Sequence, residues 1–470
     1  MTLHFAPHFA PHCAPQFAPQ FAPLAAHGVG SSQDLPLPFD LVLQAGAVTV
    51  VLSFLAVTVL WRTPRAGVTW RLPAGLDAAL RSRWWRLPLR LLVLALAVYV
   101  VGNALFGPDD ATNPAAHLLF VWLWVGLVPV SILFGPVWRG LNPLRTIHAA
   151  LCRILRVPVT GLRRPAGRPG SRSGSQPGGQ PGRQSGRRSG LDDGAGRTGH
   201  WPAAVALLAF VWLELVAPDR TDPRLLGVWL TGYAVVQLGL GLVRGERWFA
   251  RGDGFEMYSE LAGRLSVLGT DDDGRYVLRS PLAGLTTVAH PRGTTAFVAV
   301  WWGSTIFDSA SGSPLWAGFV QSTGAPLLVS TAGLVGVCVL VAASLRWTTR
   351  RADIALPLVP IAAGYTLAHY ASLLVVEGQR GLLLLVQQWS QPGGAAGSAE
   401  VSFVPDPTTV AVVQVVCIIA GHLVGVLAAH DRALRAAPGR QHTLVIADEL
   451  PGVLLMVGYT WAGLFLLFAA

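Results

Sequence analysis

The chain has 470 residues, of which 52% are apolar and only 13% charged, and its formal net charge is +10. This composition is too apolar for an ordinary soluble enzyme. Four cysteines without a C-x-x-C pair argue against a disulfide framework and against a cysteine-held metal. Because the chain contains no lysine, a P-loop nucleotide site is excluded, and neither H-E-x-x-H nor G-x-S-x-G occurs.

A four-residue repeat opens the chain, beginning with Phe5-Ala-Pro-His8 and Phe9-Ala-Pro-His12. Proline at every fourth position prevents a continuous helix. A secretory signal would need a cationic start and an unbroken apolar core, and this segment has neither. We therefore expect residues 1–38 to be a low-complexity extracytoplasmic segment, with a degenerate signal peptide as the alternative.

Apolar runs of about 20 residues then recur, long enough to cross a hydrocarbon core of about 30 Å. They predict an all-α, polytopic transmembrane helix bundle of about ten spans, with the N-terminus and C-terminus outside. The predicted spans are Phe39–Trp61, Leu87–Phe106, Ala115–Phe134, His200–Ala217, Leu225–Val243, Thr294–Phe307, Pro326–Leu345, Ile354–Val376, Thr408–His430 and Leu444–Ala470. The sixth is the shortest.

The distribution of the arginines predicts the orientation of this bundle in the membrane. With the N-terminus outside, 32 of the 35 basic residues fall on the cytoplasmic side, and only Arg220, Arg224 and Arg380 fall outside. Such a split is what the positive-inside rule requires. The positive charge therefore indicates membrane topology rather than binding to nucleic acid.

Five further segments complete the predicted organisation. Residues 39–160 hold the first three spans and an inner-surface amphipathic helix at 137–157, and residues 161–199 read as a disordered, Arg/Gly/Ser-rich cytoplasmic linker. Residues 200–243 hold spans four and five, 244–293 form a cytoplasmic loop, and 294–470 hold the remaining spans.

Ionisable residues inside or beside the spans are the candidate functional groups, because charge in lipid is costly and usually faces a bundle interior. His117, Glu214, Asp308, His369 and Glu377 all fall near the outer ends of predicted spans. They could share one outer-leaflet cavity, and His/Glu/Asp sets suit a divalent metal such as zinc. The candidate catalytic residues are Glu214, His369 and Asp308; the candidate metal ligands are His117, His369, Glu214 and Glu377.

Structural explanations compete with this hypothesis. A single histidine in a span often forms an interhelical hydrogen bond, and Glu214 could reach the surface from its helix. Tyr365, His369 and Ser372 are spaced to share one helix face, which we expect to point into the bundle. Gly421 and Gly425 form a small-xxx-small pair typical of close helix packing.

Several short segments from Ala26 to the C-terminus resemble a family of bacterial multi-spanning proteins. These segments are Ala26–Gly28, Asp34–Pro38, Leu105–Asp110, Leu133–Trp138, Leu141–Arg145, Trp212–Arg220, Trp248–Asp253, Phe255–Ser259, Gly303–Asp308, Ala368–Tyr370, Glu377–Gln379, Gly421–His422 and Ala429–Arg432. Members are commonly labelled fenitrothion hydrolase-like, after an activity that cleaves an organophosphate ester. The resemblance implies a hydrolase of such esters in the bacterial plasma membrane, with no catalytic residues to transfer.

Three functions remain open from the sequence. One is a membrane-embedded hydrolase whose outward-facing metal activates a water molecule. Another is a secondary transporter, because ten spans divide into two five-helix halves that are automatically inverted. The third is a subunit of a membrane complex. The expected partners are the lipid bilayer and a small-molecule substrate, without nucleic acid.

The topology can be tested with single cysteines in intact cells. Cysteines at Asp109, Ser311 and Gly394 should react with an impermeant thiol reagent, because all three follow outward-going spans. A cysteine at Ser173 should react only after the membrane is opened. Reaction of Ser173→Cys in intact cells would contradict the ten-span arrangement.

Overall fold

The structure is a computed structural model that describes residues 38–64, 69–161, 199–271, 273–287, 291–349, 355–390, 401–436, 438–439 and 441–468. The N-terminal repeat and nearly all of the predicted 161–199 linker lie outside these residues.

The described chain is mostly helical. Its α-helices are α1 (Phe39–Leu60), α2 (Ala74–Arg81), α3 (Arg83–Phe106), α4 (Leu127–Phe134), α5 (Val137–Leu141), α6 (Pro143–Ile154), α7 (Trp201–Leu215), α8 (Pro223–Arg244), α9 (Phe249–Gly252), α10 (Gly254–Gly263), α11 (Pro281–Thr286), α12 (Thr294–Ser311), α13 (Pro314–Ser322), α14 (Pro326–Thr349), α15 (Val359–His369), α16 (Ala371–Ser390), α17 (Pro407–Ala436) and α18 (His442–Phe468). A π-helix (His117–Val125) precedes α4, and a 3-10 turn (Glu246–Trp248) precedes α9.

Seven helical segments of the described chain are long and apolar enough to cross a membrane, or eight if the bent pair α15–α16 is one span. The chain is therefore a membrane-embedded helical protein. Two other predicted spans correspond to shorter or more polar helices. Helix α7 has only 15 residues, and α12 has 18 residues and is buried over most of its length.

A small antiparallel sheet departs from the purely helical prediction. Its strands are β1 (Thr69–Arg71), β2 (Leu268–Thr270) and β3 (Tyr276–Arg279), in the order β1-β3-β2. The sheet joins the segment after α1 to the segment after α10, and Arg71 forms ion pairs with Asp271 and Asp273. Strands of three or four residues are too short for their alternation to be recognised in a sequence.

Helices α15 and α17 approach closely because glycines line their contact. A Cβ atom at Gly364 would lie 2.4 Å from the Cys417 carbonyl oxygen, and one at Gly421 would lie 2.5 Å from the Pro360 carbonyl oxygen. Gly425 meets Pro357 in the same way at 2.9 Å. Gly421 and Gly425 thus pack α17 against α15, as their spacing indicated.

The predicted span 354–376 is broken in the middle. Helix α15 ends at His369, α16 begins at Ala371, and the two helices are bent by 61°. Tyr370 between them has φ −102° and ψ 14°, close to the sparsely populated bridge region. The predicted inward face is therefore confirmed for Tyr365 and His369, which are buried with stacked rings, and wrong for Ser372, which belongs to the second, redirected helix.

Glycine packing can be tested by adding a single methyl group. Gly421→Ala should lower the free energy of unfolding by roughly 2 kcal/mol, because the new Cβ would overlap the Pro360 carbonyl. Gly458→Ala on α18 is the control, since no atom lies within 4 Å of its Cβ position. Thermal unfolding in detergent is the measurement, and equal effects of the two substitutions would contradict the packing argument.

Candidate functional site

The C-terminal ends of three helices meet at one cluster of ionisable side chains. Glu214 lies in the last turn of α7, Asp308 and Ser309 in the last turn of α12, and His369 is the last residue of α15. All four are buried. The C-terminus of a helix carries a partial negative charge, so the three helix dipoles add to the negative field of the two carboxyl groups.

A chain of hydrogen bonds runs through this cluster. His369 Nε2 lies 2.9 Å from Asp308 Oδ2, and the Tyr370 hydroxyl donates to the same oxygen at 2.7 Å. On the other side of the imidazole, Nδ1 lies 3.3 Å from Ser309 Oγ, which lies 2.8 Å from the Tyr365 hydroxyl. When Asp308 is ionised, His369 Nε2–H donates to it, because a carboxylate can only accept a hydrogen bond.

Glu214 stands beside this chain without a hydrogen-bond partner for its Oε2 atom. The residue is only 5% exposed, and its charge lies within electrostatic range of Asp308, Tyr258 and Tyr370. Leaving a carboxyl oxygen buried and unpaired is costly to folding. Such an exception to the pairing of buried polar groups makes Glu214 a candidate functional group.

Aromatic rings from α10 and from the π-helix lie beside this acidic cluster of Glu214, Asp308 and His369. Tyr258 belongs to α10, which is almost entirely buried and packs against α4 and α7. Its ring stacks on Trp124 with centroids 4.6 Å apart, and Trp124 also contacts Phe210, one turn before Glu214 on α7. Trp124 belongs to the nine-residue π-helix, a rare conformation that occurs frequently at functional sites.

The predicted metal ligands His117 and Glu377 form a second group. His117 Nε2 lies 3.0 Å from Glu377 Oε2, and Arg380 Nε lies 3.3 Å from the same oxygen. This pair joins the start of the π-helix to α16, whereas Glu214 and His369 belong to the cluster at α7, α12 and α15. Within the described residues, no group of three or more His, Cys, Asp or Glu side chains is arranged to hold a metal ion. The zinc hypothesis stays a prediction, which elemental analysis of the purified protein would test.

A third polar network was not anticipated from the sequence. Asn142, between α5 and α6, donates from Nδ2 to Asp253 Oδ2 at 2.7 Å and to Glu256 Oε2 at 3.2 Å. Arg145 binds both oxygens of Glu256, and the Tyr233 hydroxyl donates to Asp253 Oδ1. Asp253 also caps the N-terminus of α10. The sequence contained signals for these two helix caps, because Asn142 precedes a proline at the start of α6 and Asp253 precedes a glycine at the start of α10.

Burial governs the protonation of Asp253. Desolvation and the neighbouring Glu256 charge raise the pKa of the Asp253 carboxyl to about 6, although hydrogen bonds from Tyr233 and Asn142 act in the opposite direction. The network holds the first turn of α10 in place, and the next turn carries Tyr258 to the acidic cluster.

No protein-family model, no curated protein and no solved structure matches this chain. The candidate site therefore has to be interpreted from its own geometry.

The two carboxyl groups should differ in their effect on folding. Asp308→Ala leaves His369 and Tyr370 without their shared acceptor and should cost about 3 kcal/mol or more. Glu214→Met removes an unpaired buried oxygen and should be neutral, or stabilise by about 1 kcal/mol. Thermal unfolding in detergent compares the two, and a Glu214→Met loss as large as that of Asp308→Ala would show that Glu214 is a structural partner.

Proposed function

We propose that this membrane protein is a proton-coupled secondary transporter of the bacterial cytoplasmic membrane, in which Glu214, Asp308 and His369 exchange protons while a small molecule is transported. The observation that carries the proposal is the acid–base chain at the break between α15 and α16. Discontinuous helices commonly form the substrate and ion sites of secondary transporters, and buried Asp/Glu/His chains serve as their proton relays.

The chemistry of Asp308 provides the coupling. As a carboxylate, Asp308 accepts hydrogen bonds from both His369 and Tyr370, the two residues at the helix break. A protonated carboxyl is a weaker acceptor and becomes a donor itself. Uptake of a proton by Asp308 therefore weakens its hydrogen bonds with His369 and Tyr370 at the end of α15, and loss of the proton restores them.

The remaining groups extend the path of the proton. Glu214 lies within electrostatic range of Asp308 and can take up a proton without breaking a hydrogen bond of Oε2. Beyond His369, the hydroxyls of Ser309 and Tyr365 continue the chain along α12 and α15. Hydroxyl groups both donate and accept, so they can pass a proton along such a chain.

The full topology forms part of the proposal. If α7 and the buried α12 also cross the bilayer, the chain has ten spans, and both termini lie outside. The distribution of 32 arginines on one side supports this orientation. In this orientation the C-terminal ends of α7, α12 and α15 point toward the outer side of the membrane, and the acidic cluster lies on that side.

A hydrolase is the second candidate, supported by two hydrogen bonds of His369. Asp308, His369 and Ser309 are hydrogen-bonded in the order acid, base and hydroxyl found in serine hydrolases. Ser309 Oγ would attack phosphorus and pass its proton to His369, and an aryloxide would leave. The resemblance to fenitrothion hydrolase-like proteins points to the same class of ester. Against this role, Ser309 Oγ is also bonded to the Thr305 carbonyl and to Tyr365.

Solute-jump currents on a solid-supported membrane test the transport function. Proteoliposomes with an imposed pH gradient, screened with chemically diverse solutes, should show currents for at least one class. Asp308→Asn should reduce these currents by about tenfold or more, because the proton acceptor is lost. Asp109→Asn is the control, since the Asp109 side chain is half-exposed and paired only at 3.6 Å with Arg224.

A parallel assay addresses hydrolysis. The same preparation is incubated with diethyl 4-nitrophenyl phosphate and with a fluorophosphonate probe for reactive serines. Release of nitrophenolate that Ser309→Ala abolishes, without solute currents, would replace transport by hydrolysis. Currents that are unchanged in Asp308→Asn would also overturn the proton-coupled mechanism.

A further inference from the structure

A row of arginines lies in the first two turns of α3. Arg83, Arg86 and Arg90 are spaced three and four residues apart, so this arginine row occupies one face of the helix. The segment from Ala74 to Phe106 is long and apolar enough to cross a membrane, and no arginine follows Arg90 within it. The row therefore lies at the level of the lipid headgroups, because charged guanidinium groups avoid the hydrocarbon core.

Two of these guanidinium groups converge on Gly140, near the end of α5. Arg90 Nε donates to the Gly140 carbonyl at 2.6 Å. A terminal nitrogen of Arg86 lies 3.8 Å from the position that a Cβ atom on Gly140 would occupy. Arg139, the residue before this glycine, is exposed and adds a third positive charge nearby. The mutual repulsion of these charges favours the binding of an anion beside them.

The protein does not supply this anion from the residues that the structure describes. Both oxygens of Glu256 bind Arg145 on α6. Across the described ranges, neither Arg86 nor Arg90 has a carboxylate at ion-pair distance. A phosphate group suits such a pair, because its oxygens accept two parallel hydrogen bonds from one guanidinium group.

The face of α3 beside the arginine row indicates where a phosphate would come from. Trp84, Leu87 and Leu91 are also spaced three and four residues apart, and they form an adjacent apolar row. Their exposed fractions are 81%, 53% and 50%, so the protein leaves this row uncovered. Exposed tryptophan is typical of the headgroup level of a bilayer, and exposed leucine of the hydrocarbon next to it.

From these observations we propose that the arginine row binds the phosphate of an anionic phospholipid whose acyl chains lie along the apolar row. Clusters of arginine at the end of a span attract anionic lipids. A zwitterionic lipid also carries a phosphate, but its ammonium group compensates the charge, so the site should prefer a net negative headgroup. The inference is independent of the proposed transport and of the side of the membrane on which α3 begins.

Native mass spectrometry of the purified full-length protein in an uncharged detergent measures this binding. Dioleoyl phosphatidylglycerol should occupy one site about tenfold or more tightly than dioleoyl phosphatidylcholine, because only the first lipid has a net charge. The double variant Arg86→Gln/Arg90→Gln should lose about tenfold or more of the affinity for phosphatidylglycerol. Its binding of phosphatidylcholine should not change. Glycerol phosphate, which lacks acyl chains, should not displace the bound lipid.

A matched control removes the same charge elsewhere. Arg153→Gln/Arg156→Gln changes two exposed arginines at the end of α6 and just beyond it, and it should alter phosphatidylglycerol affinity by less than about twofold. Arg86→Gln alone keeps the hydrogen bond from Arg90 to Gly140 and should weaken binding by about threefold or more. This single variant keeps the inference testable if the double variant folds poorly.

The outcomes are separate from those of the transport experiments. Equal affinity for the two lipids would overturn the anionic-lipid site. Equal losses in the double variant and in its control would also overturn it, because net charge alone would then explain the binding. Displacement by glycerol phosphate would show that a soluble phosphoester, rather than a lipid, occupies the arginine row. None of these results bears on proton-coupled currents.

Discussion

The structure depends on how a carboxylate is accommodated inside a helical bundle at the negative ends of helices. Asp308 lies in the last turn of α12, where the helix dipole disfavours its charge. Its compensation comes from His369 and Tyr370, which both reach the same carboxyl oxygen. To supply both residues, α15 has to end beside Asp308, and the chain has to leave helical geometry at Tyr370.

The position of that helix end is set from the opposite side by close packing. Gly364 and Gly421 allow α15 and α17 to approach so closely that backbone carbonyls occupy the space of a Cβ atom. Protein interiors tolerate little change in such contacts. Helix α15 is therefore fixed by glycines along one face and by Asp308 at its end, and α16 is redirected by 61° to pack along the π-helix. There Glu377 meets His117, which joins the two irregular elements.

Much of this arrangement follows from the sequence, and the reasons for the rest are physical. The apolar runs predicted most helices, because hydrocarbon thickness sets their length. The positions of Glu214, Asp308 and His369 near the ends of predicted spans indicated that they could lie together, but not that Asp308 belongs to the last turn of α12 or that His369 ends a helix. Periodicity could not show the break after His369, since no proline or glycine marks it and the hydrogen-bond partner of His369 and Tyr370, Asp308, lies on another helix. The burial of α10 was missed for a similar reason. A segment of ten residues between arginine-rich stretches resembles a surface loop unless its partners are known.

Helix α10 connects two acidic regions of the molecule, the network of Asp253 and Glu256 and the cluster of Glu214 and Asp308. Its first turn is held by Asn142 and Arg145 through Asp253 and Glu256, where every carboxyl group has a donor. Its second turn presents Tyr258 near Glu214, whose Oε2 has no donor. Asp253 and Glu256 are thus fully hydrogen-bonded where they position α10, whereas Oε2 of Glu214 at the end of α7 has no donor. Since buried polar groups that serve only stability are normally paired, the unpaired Oε2 of Glu214 suits a group that receives a ligand or a proton, whereas the paired carboxylates of Asp253 and Glu256 suit residues that position a helix.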